Sequence, residues 1–239
     1  ASQARKSYFV TENEAALFRS LAPEVGAQVE VSGNGVDSDF FSPRPDVVTP
    51  YPAEELPVVF TGAMDYWPNI DAAVWFVESM LPQLRAWNER IRFYVVGRSP
   101  SPAVCALASS AVVVTGTVSD VRPYLQYAAV VVAPLRIARG VQNKVLEAMA
   151  MGRPVIASRS CVAAIAAEEG QELMAAETAT EFVDGVQKLL SQADLADRIG
   201  VAGRACVVRR FSWEAHLSGL DRDLAGVFQS RLDQSHVLA

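Results

Sequence analysis

From Pro57 onward, short apolar runs rich in β-branched residues alternate with longer stretches of helical periodicity. The runs VVFTGA (58–63), IRFYVVG (91–97), AVVVTG (111–116), AVVVAP (129–134), PVIAS (154–158) and QELMA (171–175) predict six strands. Each reads as a continuous apolar block with little in/out alternation, the pattern of a strand covered on both faces. Between them the periodicity predicts helices over 69–87, 101–109, 120–127, 142–151, 161–168 and 179–191. The strand pattern then ends, and two further helices are expected at 193–209 and 212–229. Strand and helix in strict alternation predict an α/β fold, a doubly wound parallel sheet of about six strands. The 142–151 helix carries a clear stop, with Gly152 able to take the left-handed position after the last turn and Pro154 two residues on.

The first 42 residues follow a different rhythm. A short strand YFVT leads into a helix ENEAALFRSLA, with Thr11 as N-cap and Glu14 completing a capping box, and a second strand QVEVS runs into GNGVDSDFFSP. The proline-rich segment SPRPDVVTPYPAEELP then reads as an interdomain linker over 43–56. There is no internal repeat and no low-complexity tract.

Composition narrows the partners. At 239 residues and 51% hydrophobic the chain can bury one large core, or one domain plus part of another. Its longest apolar run, 128–135, falls far short of the roughly 18 residues that span a bilayer, and no signal sequence opens the chain. A net charge of -6 argues against broad binding to nucleic acid or anionic lipid and leaves room for a local anion site. Cys105, Cys161 and Cys206 are scattered and only two histidines are present, so neither a zinc site nor a disulfide framework is indicated and a cytoplasmic setting is expected. The chain opens on Ala1 instead of methionine, which suggests processing or an excised piece.

Chemistry concentrates in RIARGVQNKVLEAMAMGRPVIAS, 136–158. In an open parallel sheet, ligands bind at the carboxyl edge, where loops lead into helix N-termini. Gly140 lets the backbone approach a ligand just before a helix begins, and that helix start offers free N–H groups and partial positive charge to a phosphate. Arg139 and Lys144 add full charges beside Val141, Gln142 and Asn143. Glu147, one turn beyond Asn143 on the same face, could accept two hydroxyl hydrogen bonds from a ribose, or pair with Lys144 on a solvated face. Three more loops reach the same edge: TGAMDYWPNID with Gly62 and Asn69, VGRSPSP with Gly97 and Arg98, and GTVSD with Gly116, Val118 and Asp120. A glycine in any one of them is equally explained by a tight strand-to-helix turn. The DSD at 37–39 imitates a metal-binding DxD but follows GNGV instead of a strand end. His216, beside Trp213, is expected to pack or lie at the surface.

The stretches NGVDSDFFSP, FTGAMDYWPNIDAAVWFVESMLP, VVGRSPSP, TGTVSDVRPYL and GVQNKVLEAMAMGRPVIAS, in that order, resemble the C-terminal half of the retaining glycosyltransferases of family four, the group 1 transferases. Within them the chain is most similar to bacterial sugar transferases associated with exopolysaccharide and PEP-CTERM sorting systems. The resemblance implies a Rossmann-like C-terminal domain of a GT-B fold over 57–211 that binds a nucleotide sugar, a remnant of the N-terminal acceptor domain over 1–42, and a C-terminal crossover helix and tail over 212–239. It implies that the loop before the LEAMA helix binds the donor's phosphates and sugar, that Glu147 holds the ribose, that Thr117 to Asp120 lie near the base, and that no metal is required. Two departures stand out. The family often carries two glutamates with seven residues between them, and the first would fall at Arg139; a basic residue common in the first glycine loop is replaced by Met64 and Asn69. Arg139 and Lys144 are then expected to share the diphosphate and stabilise the leaving group.

The leading expectation is therefore the donor-binding domain of a bacterial glycosyltransferase. It would move sugar from a nucleotide-diphosphate donor to a glycan or lipid-linked acceptor in polysaccharide synthesis, inactive as this piece alone. The expected partners are the donor and that acceptor, with no nucleic acid, no cofactor and no transmembrane segment. The setting is cytoplasmic or peripheral at the inner membrane, with self-association through exposed apolar surface. Two other classes are compatible with the residues. One is a non-catalytic nucleotide-binding module that works with a partner chain. The other is a nucleotide-sugar epimerase, which would need more acid/base groups than these loops offer.

Overall fold

The computed structural model describes residues 4–138 and 140–217. At the N-terminal end, β1 (Ser7–Phe9) and β2 (Val29–Val31) pair in parallel around α1 (Glu12–Leu21) and a 3-10 segment, Pro23–Gln28. The expected capping box is present: Thr11 Oγ1 accepts from Glu14 N at 3.2 Å, and Thr11 N donates to the Glu14 carboxylate at 3.2 Å. Tyr8, Val10, Leu17, Leu21 and Val31 leave apolar surface exposed on this small unit.

The main sheet is built from β3 (Leu56–Thr61), β4 (Ile91–Val96), β5 (Val112–Gly116), β6 (Val130–Ala133), β7 (Val155–Ser158) and β8 (Met174–Ala176). All pairs are parallel, in the order β5-β4-β3-β6-β7-β8. Val59 sits opposite both Tyr94 and Val131, so β3 is central, and the chain reverses direction across the sheet between β3 and β6. β6 and β7 are buried at every residue, which explains their unbroken apolar sequence. The sheet is thus the doubly wound arrangement expected.

Helices cover both faces, as right-handed crossovers from a central strand require. α2 (Trp67–Ser79), α3 (Leu81–Trp87), the short α4 (Pro102–Cys105) and α8 (Ala179–Ser191) pack together, with Trp75 set edge-on to Phe182 at 5.8 Å. α6 (Asn143–Ala150) packs on α9 (Ala193–Phe211), and α5 (Arg122–Gln126) and α7 (Arg159–Ile165) complete the connections. Phe60, Phe76, Phe93, Leu125, Leu146 and Met149 are among the largest side chains that are fully buried.

Four expected elements are corrected. The single helix over 69–87 is two, broken at Met80: Pro82 offers no N–H and its ring would clash with the preceding turn. The 101–109 helix is one turn, because Ser109 and Val112 exchange hydrogen bonds in a turn that feeds β5 directly. The 161–168 helix starts at Arg159 and stops when Ala166 turns left-handed at φ 51°. The last strand begins at Met174, since Gly170 and Glu172 spend their N–H groups on a local turn. Of the helix expected over 212–229, the described part is helical as far as 217, and the remainder lies outside the described residues.

The proline-rich segment before β3 is strapped to the main body. Arg44 N donates to Gln126 Oε1 at 3.0 Å and Gln126 Nε2 to Arg44 O at 2.7 Å, while the Tyr51 hydroxyl donates to Tyr124 O at 2.6 Å. From α9, Arg204 donates to Phe41 O at 3.0 Å, to Ser42 Oγ at 2.9 Å and to Ala150 O. Val36 N reaches Phe211 O at 2.7 Å, and His216 stacks on Phe211 with ring centroids 6.4 Å apart, in the packing role expected of it. Among the described residues, no helix is long and apolar enough to cross a membrane.

Candidate functional site

The strand order reverses between β3 and β6, and an open sheet gapes at its carboxyl edge where that happens. A cleft of about 600 Å³ lies along this edge, from the end of β5 to the start of α6. Four loops and one helix face line it, together with a residue from the chain ahead of β3.

The loops after β3 and β4 are locked together by glycine. Gly62 and Gly97 have φ of 155° and 153°, and a Cβ on Gly97 would stand 1.7 Å from Gly62 O. Only a bare backbone allows that approach. Gly62 N donates to Val96 O at 3.0 Å and Met64 N to Arg98 O at 2.8 Å, so the two loops form one floor. Arg98 rises exposed from it into the cleft, and its guanidinium has no partner among the described residues.

Opposite stands the first turn of α6. Gln142 caps the helix in extended conformation without a side-chain bond to the first turn; its carbonyl takes the Val145 N–H at 2.9 Å, which leaves the N–H groups of Asn143 and Lys144, both lining the cleft, as open donors. Lys144 reaches from this turn across to the β3 loop. Its ammonium donates to Asn69 Oδ1, lies over the Phe60 ring at 4.6 Å, and comes within 2.9 Å of where a Gly62 Cβ would be. Asn69, 5% exposed, is itself held by an Nδ2 donation to Ala63 O at 2.8 Å. No carboxylate of the described residues ion-pairs with Lys144, and burial pushes its ammonium down to about 8. One turn on, Glu147 also lines the cleft; burial raises its carboxyl above the usual range and the nearby Lys144 opposes this in part. The reading of Glu147 on a solvated face is corrected, because α6 turns this side inward.

The far end of the cleft is less charged. Thr117, Val118 and Ser119 present backbone and small side chains. Asp120 is taken up by Arg122, which donates to it from Nε at 3.0 Å, from a terminal nitrogen at 2.7 Å and from its backbone N at 2.9 Å. This pairing holds the Asp120 carboxyl below its ordinary range.

The structure thus brings Gly62, Asn69, Gly97, Arg98, Val118, Asp120, Gln142, Asn143, Lys144 and Glu147 to one cleft. Gly140 and Val141 do not line it: Gly140, left-handed at φ 64°, packs against the Thr11 methyl, and Val141 packs on the core. Arg139 lies outside the described residues. Arg136 turns away to pair with Asp71 on α2, 2.9 Å from its Nε, so its charge serves the scaffold. Sequence reasoning missed Thr61, Tyr66 and Phe40 in the lining. Thr61, the last residue of β3, could have been found from its position, whereas Phe40 is brought in by tertiary contacts, from Arg122 to its carbonyl and from Arg204 to the next two residues. The DSD stretch makes a turn in which Asp37 accepts from Asp39 N and Phe40 N at 3.2 and 2.8 Å. Among the described residues, no three metal-ligating side chains of His, Cys, Asp or Glu stand together.

A family model described as "Glycosyl transferases group 1" matches residues 55–192, more than half of the chain. No curated sequence matches it. Solved structures do. A glycosyltransferase from Rickettsia africae superposes with a TM-score of 0.73 at 19% identity, over 95% of this chain and 64% of that one. The Anabaena protein HepE, in complex with UDP and glucose, gives 0.72 at 15% identity over 93% of this chain and 63% of that one. The C-terminal domain of a group 1 glycosyl transferase, LpcC, from Francisella tularensis gives 0.57 at 16% identity, over 75% of this chain and 100% of that domain. The chain spans less than two thirds of the length of the first two proteins, and the fold it shares with them includes the C-terminal Rossmann-like domain of a GT-B fold.

Proposed function

The chain belongs to the group 1 glycosyl transferases, and from that premise we propose that its cleft binds the nucleoside-diphosphate part of a sugar donor. One observation carries the reading. The Lys144 ammonium is desolvated at the switch point with a neutral amide and an aromatic ring as its partners. A buried cation that no ion pair neutralises, and that Glu147 offsets only in part, is costly, and a diphosphate seated on the first turn of α6 would supply further negative charge. Free N–H groups of the same turn, and Arg98 across the cleft, complete a cradle for its oxygens. Glu147, one turn further along α6, stands where a ribose diol would meet its carboxylate.

The donor sugar would then leave its diphosphate with the developing negative charge held by Lys144, the helix start and Arg139. That is electrostatic stabilisation of a leaving group by fixed donors. The reaction is a retaining transfer to a glycan or lipid-linked acceptor in bacterial polysaccharide synthesis, without a metal. Likeness of fold to HepE, whose structure contains UDP and glucose, supports the donor class. Residues 57–211 form the donor domain, 1–42 the end of an acceptor domain, 43–56 their linker and 212–239 the crossover helix and tail. The groups that hold the acceptor come from that other domain, so the 239-residue chain binds nucleotide and transfers no sugar. The full protein works in the cytoplasm or at the inner membrane surface, and the apolar face around Leu17 and Leu21 makes this piece self-associate.

Calorimetric titration with UDP, GDP and ADP, repeated on Lys144→Ala and Glu147→Ala, tests the reading. One nucleotide binds better than about 1 mM and both variants weaken it. Absence of binding by all three overturns it.

A further inference from the structure

The cleft has two chemically different ends. At the β3/β6 end stand Lys144, the first-turn N–H groups of α6 and Asn69; at the β5 end stand Val118, Val121 and the ring of Phe40. Phe40 is 46% exposed, yet it is not loose. The Arg122 guanidinium carbon stands over its ring, 3.9 Å from the centroid, and one of its nitrogens donates to Phe40 O at 3.3 Å, while Asp120 fixes that guanidinium through its remaining donors. Arg204 ties down the next two residues. Arg122 does not line the cleft and Phe40 does, so the arginine backs one side of the ring and the cleft takes the other. The Phe41 ring is set at 82° to it, 5.1 Å away. A half-exposed aromatic ring fixed by its neighbours at the wall of a cleft is a stacking platform.

We propose that Phe40 is the platform on which the donor's nucleobase stacks, with Arg122 and Asp120 as the positioning residues behind it. The assignment rests on the donor-site reading above and keeps the direction that the resemblance implies, base toward β5 and diphosphate toward α6; what it adds is the surface on which the base lies. The base is a flat ring with a π-face, which Phe40 can cover whatever its hydrogen-bonding edge. Recognition of that edge falls to the Thr117–Ser119 backbone. It also reassigns Asp120, whose carboxylate is engaged by Arg122 and so acts through the stack, without touching the base.

The test uses the 239-residue chain and two probes, the tightest-binding of UDP, GDP and ADP, and inorganic pyrophosphate. Phe40→Ala weakens the nucleotide about tenfold and leaves pyrophosphate unchanged, since base stacking is lost and the anion seat is not. Phe40→Trp retains nucleotide affinity and Phe40→Leu does not, which separates a π-face from mere bulk. Asp120→Asn weakens the nucleotide and spares pyrophosphate. Equal nucleotide affinity in Phe40→Ala and the parent chain overturns the proposal, and so does an equal loss of both probes. If the parent chain binds pyrophosphate and no nucleotide discriminates from it, the platform fails while the anion seat stands. Should neither probe bind, the donor-site reading fails first.

Discussion

The Lys144 ammonium donates to Asn69 Oδ1, tying the first turn of α6 to the first turn of α2 across the point where the strand order reverses. Without that amide a four-carbon side chain would have several rotamers open to it. With it, the charge is aimed at the bare backbone of Gly62.

Asn69→Ala is therefore expected to weaken nucleotide binding without removing any charge. Lys144→Ala removes a charge-assisted contact with phosphate of about 1.5–3 kcal/mol, roughly ten- to a hundredfold in affinity. Asn69→Ala loses less, and Asn69→Asp, which would pair with and neutralise the ammonium, loses as much as Lys144→Ala. Calorimetry on the three variants checks the order.

Nucleotide affinity should fall with rising pH above about 8, the value to which burial lowers Lys144. The sign follows from linkage. A bound diphosphate favours the charged ammonium and raises its pKa, so binding takes up a proton wherever the free group is already neutral. Below that value the group is charged in both states and affinity is level, as far down as about pH 7, where phosphate's own proton begins to return. Titrations in buffers of different ionisation heat report the proton directly, and Lys144→Met abolishes it.

Gly97→Ala should be among the most damaging small substitutions. Its added methyl would lie 1.7 Å from Gly62 O, at φ 153°. Gly170, also left-handed at φ 79°, has open space around it, so Gly170→Ala incurs only backbone strain of about 1–2 kcal/mol. Urea denaturation is expected to put Gly97→Ala more than about 3 kcal/mol below the parent chain, in the range of severe mutations.

Arg204→Met keeps most of the side-chain volume and removes the strap from α9 to Phe41, Ser42 and Ala150. A loss of at least about 2 kcal/mol follows from carbonyls left without a charged donor. Because the strap also sets Phe40, nucleotide affinity drops in the same variant while pyrophosphate affinity does not.

The sequence by itself determined the six strands, the parallel sheet and the helix that starts beside Lys144. Those depend on near neighbours: a run of β-branched residues, a capping box at Thr11, a stop at Gly152 and Pro154. Even the break at Met80 was legible in Pro82, had the proline outweighed the apolar periodicity around it. Ten of the expected site residues meet at one cleft because each stands at a strand's carboxyl end or on the first turns of the helix that follows. What the tertiary structure decided is which distant groups share that edge. Arg136 and Lys144 sit eight residues apart in one charged stretch, yet one pairs with Asp71 on the scaffold and the other is lodged against Asn69 in the cleft. Phe40 enters the lining from 82 residues before the Arg122 that backs it. Local periodicity carries no information on such meetings. They follow from the strand order and the hand of the crossovers, which bring together side chains that no spacing along the chain connects.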